Sequence, residues 1–348
     1  MENISQEFLY NVGNLIENAR TNAKAAIDLS MVYAYFEVGR MIVEEEQKGE
    51  ERAEYGKQVI ARLSEYLKEH FGKGFSVTNL KQMRQFYKIY SADQIGQKLS
   101  DQFPNLPTVS TGRKFVLGWS HYLKLMRIEN VDERHFYEIE AAENHWGIKE
   151  LQRQFDTALY QRLALSRDKE EIKKLSEVGQ IIESPADMLK DPYILEFTGL
   201  QEQPKYSEND LETKLIDHLQ EFLLELGKGF TFVGRQVRFT FEEQNFWVDL
   251  VFYNRLLQCF VLVDLKIGTL THQDLGQMQM YVNYYDRYEK KDFENPTIGI
   301  LLCRDKSNSI VELTLPKDAN IYASKYDLYL PDKELLERKI QQWSDEEN

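Results

Sequence analysis

The sequence predicts a mixed protein, with an all-α N-terminal domain followed by an α/β domain built on a central mixed sheet. Three observations carry this prediction. Apolar residues recur at helical spacing from Phe8 to about Leu175. Across residues 231–266 the pattern changes to apolar, strand-like runs joined by short polar turns. Between the two regions, residues 184–205 hold three of the eight prolines. The boundary is placed near residue 180, giving domains of 1–180 and 181–348.

A chain of 348 residues has room for two such cores. Its 42% apolar and 29% charged residues are ordinary for a soluble intracellular protein. No apolar run reaches the length of a membrane span, about 18 residues. The opening MENISQEFLYNVGNLI lacks the basic segment and apolar core of a secretion signal, so a cytoplasmic location is expected. Cys259 and Cys303 sit in apolar runs as buried thiols, without the spacing of a zinc site. The net charge of −14 opposes broad attraction to phosphate, so nucleic-acid contact requires a local basic patch or metal ions. Such a patch exists: Arg52, Lys57, Arg62, Lys68, Lys73, Lys81, Arg84 and Lys88 stand against only Glu54, Glu65 and Glu69.

Taken in order, residues 5–47 read as two helices, through Phe8, Val12, Leu15 and Ile16, then Val32, Tyr35, Phe36, Val38 and Ile42. Residues 51–68 continue as a helix until the glycines of 71–75 break it. Ser76 or Thr78 caps the next helix, which runs to about Tyr90. Helix, glycine turn, helix is the outline of a helix-turn-helix, though the loop is long for one. The outward side of the second helix carries Asn79, Lys81, Gln82, Arg84, Gln85 and Lys88, side chains suited to phosphate and base edges. An ordinary helical hairpin with a polar surface fits the same residues. Residues 91–114 form a wing-like excursion. Helices follow over 119–128, from a cap at Asp132 to 144, and over 148–175, with His121, His135 and His145 scattered among them at no metal-ligand interval.

The second domain opens with a helix over 209–226, ended by Gly227. Glu212 lies on the flank of its apolar face, favourably near a helix N-terminus. Strands are expected at 231–241, 246–253 and 259–266, then a helix over 272–286, strands at 297–303 and 321–323, and a closing helix over 334–343.

Asp249, Asp264 and Lys266 stand inside the apolar strands. Burying an unpaired carboxylate costs roughly several kcal/mol, so a partner or metal is required. Strand periodicity puts Asp264 and Lys266 on one face, and any hairpin centred near 254–257 adds Asp249 to it. A two-residue turn at Asn254–Arg255 displaces the two aspartates by about 13 Å, whereas a hairpin centred between Leu256 and Leu257 sets them opposite one another. Oxygen ligands of this kind suit Mg²⁺, or Mn²⁺ in its place, with Lys266 stabilising charge or orienting water during phosphodiester hydrolysis. A solvated strand edge is the structural alternative.

The pattern Asp249…Asp264-Leu265-Lys266 resembles the PD-(D/E)xK nuclease motif, and Gln277-Met278-Gln279-Met280-Tyr281 resembles the Gln-x-x-x-Tyr element of RecB-like nucleases. Val248 replaces the name-giving proline, and Asp264 stands where glutamate is more frequent. Over nearly its full length the chain resembles the YhcG-type family, through RAEYGKQVIARLSEYL, FGKGFSVTNLKQMRQFY, WSHYLKLMRI, FYEIEAAENHWGIKELQRQ and DPYILEFTGL. The resemblance implies a winged-helix-like N-terminal domain joined to a restriction-endonuclease-like α/β domain. It implies metal binding by Asp249 and Asp264 with Glu212 near the metal, a catalytic Lys266, and a positioning role for Gln277 and Tyr281. The expected activity is metal-dependent hydrolysis of DNA. An RNA nuclease using the same site, and an assembly protein with an idle nuclease fold, stand as alternatives. The apolar helices of the N-terminal domain could also join two copies.

Overall fold

The computed structural model describes residues 5–48, 53–91, 114–165, 169–190, 192–200, 206–316 and 319–346. They divide into two compact units, Met1–Gln152 with Lys174–Gly179, and Arg153–Lys173 with Gln180–Asn348.

The first unit is helical. Helix α1 (Gln6–Lys48) is one continuous helix of 43 residues where two were expected. The gap in its apolar pattern holds alanines and no proline, so the backbone continues through it. Helices α2 (Ala53–Phe71) and α3 (Val77–Tyr90) follow, and the Ser76 hydroxyl accepts the Asn79 amide at 3.2 Å as the cap of α3. Helices α1 and α3 approach so closely that a Cβ on Gly39 would lie 2.1 Å from the Met83 carbonyl oxygen. Phe36, Phe86, Phe115, Tyr90 and Tyr122 bury their rings in edge-on and tilted contacts at this crossing. Residues 92–113 of the wing expected over 91–114 lie outside the described residues, as does Arg52. Helices α4 (Trp119–Leu125) and α5 (Val131–Glu143) follow, the second capped by Asn130 and not by Asp132. Asn130 accepts the Glu133 amide, which places Asp132 inside the first turn, beside the helix's positive end.

The segment expected as one helix over 148–175 is three: α6 (Ile148–Asp156), α7 (Leu159–Ala164) and α8 (Lys169–Val178). The break before α7 falls at Ala158, which is left-handed at φ +51°.

The second unit carries a six-stranded sheet among its described residues, in the order β1-β6-β5-β4-β3-β2. Residues expected as a connection supply a short helix, α9 (Pro185–Met188), and an edge strand, β1 (Tyr193–Ile194), paired in parallel with β6 (Ile321–Asp327). The helix expected over 209–226 is two, α10 (Glu208–Asp217) and α11 (Leu219–Leu226), divided at His218. Strands β2 (Phe230–Phe241), β3 (Gln244–Asn254) and β4 (Cys259–Thr269) are antiparallel, while β5 (Ile298–Asp305) and β6 continue from β4 in parallel. Helix α12 (His272–Tyr284) covers one face of the sheet through Leu275, Met278, Tyr281 and Val282. It packs so closely on β5 that a Cβ on Gly299 would meet Met278 at 2.7 Å. Helices α10 and α11 cover the other face through Leu211, Leu215, Phe222 and Leu226. Helices α13 (Asn308–Thr314) and α14 (Lys333–Glu346) complete the unit.

A buried ion network ties 153–173 into this core. The Arg162 guanidinium donates to Glu225 at 2.6 Å with both side chains fully buried, and Arg153 reaches Glu225 and Glu196. Burial alone would raise the Glu225 carboxyl; the charges of Arg162, Lys190 and Arg153 outweigh it and hold the group down at about 2.

Candidate active site

The β3–β4 register settles where the two aspartates fall. Asn254 pairs with Cys259 and Leu250 with Val263, so the hairpin centres between Leu256 and Leu257. One step beyond Leu250 and Val263, Asp249 and Asp264 stand opposite each other on one face. β4 lies inside the sheet between β3 and β5 and Asp264 is 3% exposed, so neither Asp264 nor Lys266 occupies a solvated strand edge.

Lys266 Nζ contacts Asp264 Oδ2 at 2.7 Å and lies 3.9 Å from Glu208 Oε2. Asp249 Oδ2 accepts the Leu265 amide at 2.9 Å, which fixes its carboxylate against β4. Burial and then the Asp249 charge push the Asp264 carboxyl up to about 7, against the opposing pull of Lys266. Burial acts to lower the Lys266 ammonium, but Asp264, Glu208 and Asp249 outweigh it and hold the group above its ordinary value. The neighbouring carboxylates therefore favour the charged form of Lys266.

Glu212, on α10, reaches the cluster from the helix that crosses the sheet. It is buried at 2% exposure and pairs with Arg235 Nε at 3.0 Å. Between Glu212 and Asp249 sits the side-chain amide of Gln236, which donates to Asp249 Oδ1 at 3.0 Å and also to Glu212 Oε2. In the β2–β3 register Gln236 falls opposite Asp249, just past the bulge at Phe232/Gly234, and its backbone is left-handed at φ +46°. Sequence reasoning missed Gln236, Arg235 and Glu208. The amide on an exposed strand carries no signal by itself; only the register reveals its place.

On α12, the Gln277 side-chain amide donates to the Tyr281 hydroxyl. Tyr281 is buried, and burial raises its phenol, which also feels the charges of Asp264, Asp249 and Lys266. The structure thus brings Asp249, Asp264 and Lys266 together; Gln236 links Asp249 to Glu212 on α10, and Tyr281, bonded to Gln277 on α12, feels the charges of the cluster from the opposite helix layer. The other expected binding residues lie on α3 of the first unit. There Lys81 and Lys88 are exposed, and Gln82 is half-buried. Arg84 is engaged by Glu46 at 2.7 Å, and the Asn79 side-chain amide donates to the Gly74 carbonyl at 2.9 Å.

The donor set fits a hard divalent cation. Two facing carboxylates share one ammonium, Lys266, and its pull does not offset what burial and the Asp249 charge do to the Asp264 carboxyl, which is where a further positive charge is favoured. Among the described residues no three His, Cys, Asp or Glu side chains form a ready cluster. A small cation that keeps its waters and takes one or two carboxylates, completing its shell with substrate phosphate, requires no such cluster.

Residues 186–341 match the YhcG PDDEXK nuclease domain, and residues 11–162 match the DUF1016 N-terminal domain. The Escherichia coli (strain K12) protein named "Putative nuclease YhcG" is 38% identical over 339 residues, which cover 93% of this chain and 90% of that one. A repair endonuclease from Pyrococcus abyssi aligns with 38% of this chain and 50% of its own, at 15% identity and a TM-score of 0.25, a likeness too slight to carry an argument. On the strength of the full-length relative and the two matched domains, the chain belongs to the YhcG family of PDDEXK nuclease-domain proteins.

Proposed function

We propose that this protein hydrolyses phosphodiester bonds of DNA with a divalent cation, Mg²⁺ or Mn²⁺ in its place, held by Asp249 and Asp264 with Glu212 beside them. The observation that carries the reading is the opposition of Asp249 and Asp264 across β3 and β4, with the Lys266 ammonium on one of their oxygens. The cation, when bound, supplies Lewis-acid activation of the scissile phosphate and neutralises the carboxylates.

The chain's own residues do the rest. Lys266, kept protonated by its acidic neighbours, faces the negative charge that builds on phosphorus as water adds. Asp249, fixed by the Leu265 amide, would hold the cation together with Asp264, the carboxyl that burial and the Asp249 charge push up. Tyr281, its phenol held neutral, and Gln277 present donors toward a non-bridging phosphate oxygen. The exposed Lys81 and Lys88 on α3 supply nucleic-acid contacts outside the reacting centre. Phe8, Val12, Leu15 and Ile16 are exposed on α1 and offer a contact for a second copy, which light scattering after gel filtration would report as twice the monomer mass.

The test is incubation of the purified protein with linear duplex, supercoiled and single-stranded DNA and with RNA, in Mg²⁺, Mn²⁺ or EDTA. Cleavage is expected in either metal and lost in EDTA, with Lys266→Ala and Asp249→Ala each reducing the rate by about 10³-fold. Metal-independent cleavage, or activity retained by both variants, would refute it. Cleavage confined to RNA would keep the site and correct the substrate.

A further inference from the structure

On the face of α12 next to Gln277 and Tyr281, a cavity of about 310 Å³ opens between the helix and the end of β2. Gly276, Gln279 and Asn283 recur along this face at the spacing of helical turns. Phe239 and Tyr284 form one wall, stacked at 4.0 Å and 22°. Phe241 and Tyr288 form another, with ring centroids 6.3 Å apart; they are 43% and 57% exposed, and Tyr288 also meets Tyr284 at 5.1 Å. Arg287 also lines the cavity. Gln279 donates to Asn283 Oδ1 at 3.3 Å, while its own Oε1 is shut off from solvent with no hydrogen-bond partner. The cavity adjoins the reacting centre through Phe239, whose ring meets Tyr281 edge-on at 5.5 Å.

We infer that this cavity receives an unpaired nucleobase of the strand being cut, next to the scissile phosphate. The inference rests on the nuclease reading above and adds the form of the substrate to it. A base offers two flat faces for aromatic walls and an edge of N–H donors and acceptors for side-chain amides. The exposed Asn283 side-chain amide, on the same cavity wall, offers that edge a hydrogen bond, and the Arg287 guanidinium takes the neighbouring phosphate. In continuous duplex the base must first be unstacked and turned out, which costs free energy that a single strand, a frayed end or a flap does not require. The cavity therefore selects DNA with an unpaired base at the cutting position.

The experiment uses full-length protein with Ca²⁺ in place of Mg²⁺ and a single-stranded 12-mer carrying one 2-aminopurine, alongside a blunt duplex of the same sequence. Stacking in the cavity should quench the 2-aminopurine fluorescence of the single strand. Tyr288→Ala and Phe241→Ala each remove one exposed ring, and Gly276→Leu places a side chain at the cavity wall in a better helix former. Each should weaken single-strand binding roughly ten-fold, with duplex affinity within about two-fold of wild type. Tyr288→Phe, which keeps the ring, should bind as wild type does. Equal losses on single strand and duplex, or none on the single strand, would overturn the inference while wild-type cleavage in Mg²⁺ left the nuclease reading standing. A wild type that neither binds nor cleaves any nucleic acid would remove both.

Discussion

Gln236 holds a backbone conformation that its residue type disfavours, in the middle of a strand and directly opposite a candidate cation ligand. A left-handed residue that is not glycine costs about 1–2 kcal/mol, and such strain gathers where a side chain must be aimed. Here the amide is aimed between Glu212 and Asp249. Asparagine tolerates the left-handed backbone but is one methylene short. Gln236→Asn should therefore leave the melting temperature in EDTA within about 2 °C and weaken Mn²⁺ binding by about ten-fold, measured by calorimetry. Unchanged affinity would reduce Gln236 to a backbone feature. Asp249, Asp264 and Lys266 were legible because charges in apolar strands demand an explanation, and strand periodicity set them on one face. Gln236 was not: Gly234 marks a bulge beside it, but only the register shows that the Gln236 amide falls opposite Asp249.

Glu225 is the other residue whose environment makes a measurable claim. Its carboxyl lies below the ordinary value of 4.5, at about 2, so the ionised form is favoured by folding. That contribution is complete above pH 4.5 and is lost as pH falls from about 4.5 to 2. Urea midpoints measured from pH 6 to pH 2.5 should fall more steeply in wild type than in Glu225→Gln, which begins less stable at pH 6 and carries no such titration. Parallel curves would show that the network around Arg162 does not depend on this charge.

At the scale of elements, periodicity located helices and strands well and their interruptions poorly. The breaks at Ala158 and His218 fall at residues that carry no breaking signal, since the bend is imposed by how each half packs. Helix α1 is the reverse case: its apolar spacing lapses, yet nothing in the backbone requires a break and the helix runs on. β1 spans two residues, too few for alternation to register, and exists because β6 offers it a partner. The β3–β4 turn shows how little of a register the local residues specify. Its last residue, Gln258, is exposed and left-handed at φ +50°, where glycine would carry no penalty. Gln258→Gly should raise stability by about 0.5–1 kcal/mol in urea titration while leaving the register intact. A loss of stability would mean that the Gln258 side chain contributes to the turn.

At the scale of the whole chain, the position of Arg153 and Arg162 has a consequence for how the protein can be divided. The matched nuclease domain begins at residue 186, yet the second compact unit includes Arg153–Lys173. A fragment of 186–348 keeps the sheet and the acidic site but discards the two guanidinium groups that answer Glu225. Removing one side of a buried pair costs about 3–5 kcal/mol, a large share of a domain's net stability. The fragment 186–348 should melt well below 153–348, and Glu225→Gln should recover part of the difference by taking away the stranded charge. Equal melting temperatures would show that water or Lys190 can replace both arginines. The border drawn by sequence similarity and the border drawn by charge neutrality thus fall in different places, and the nuclease half carries its counter-ions on loan from the stretch of chain before it.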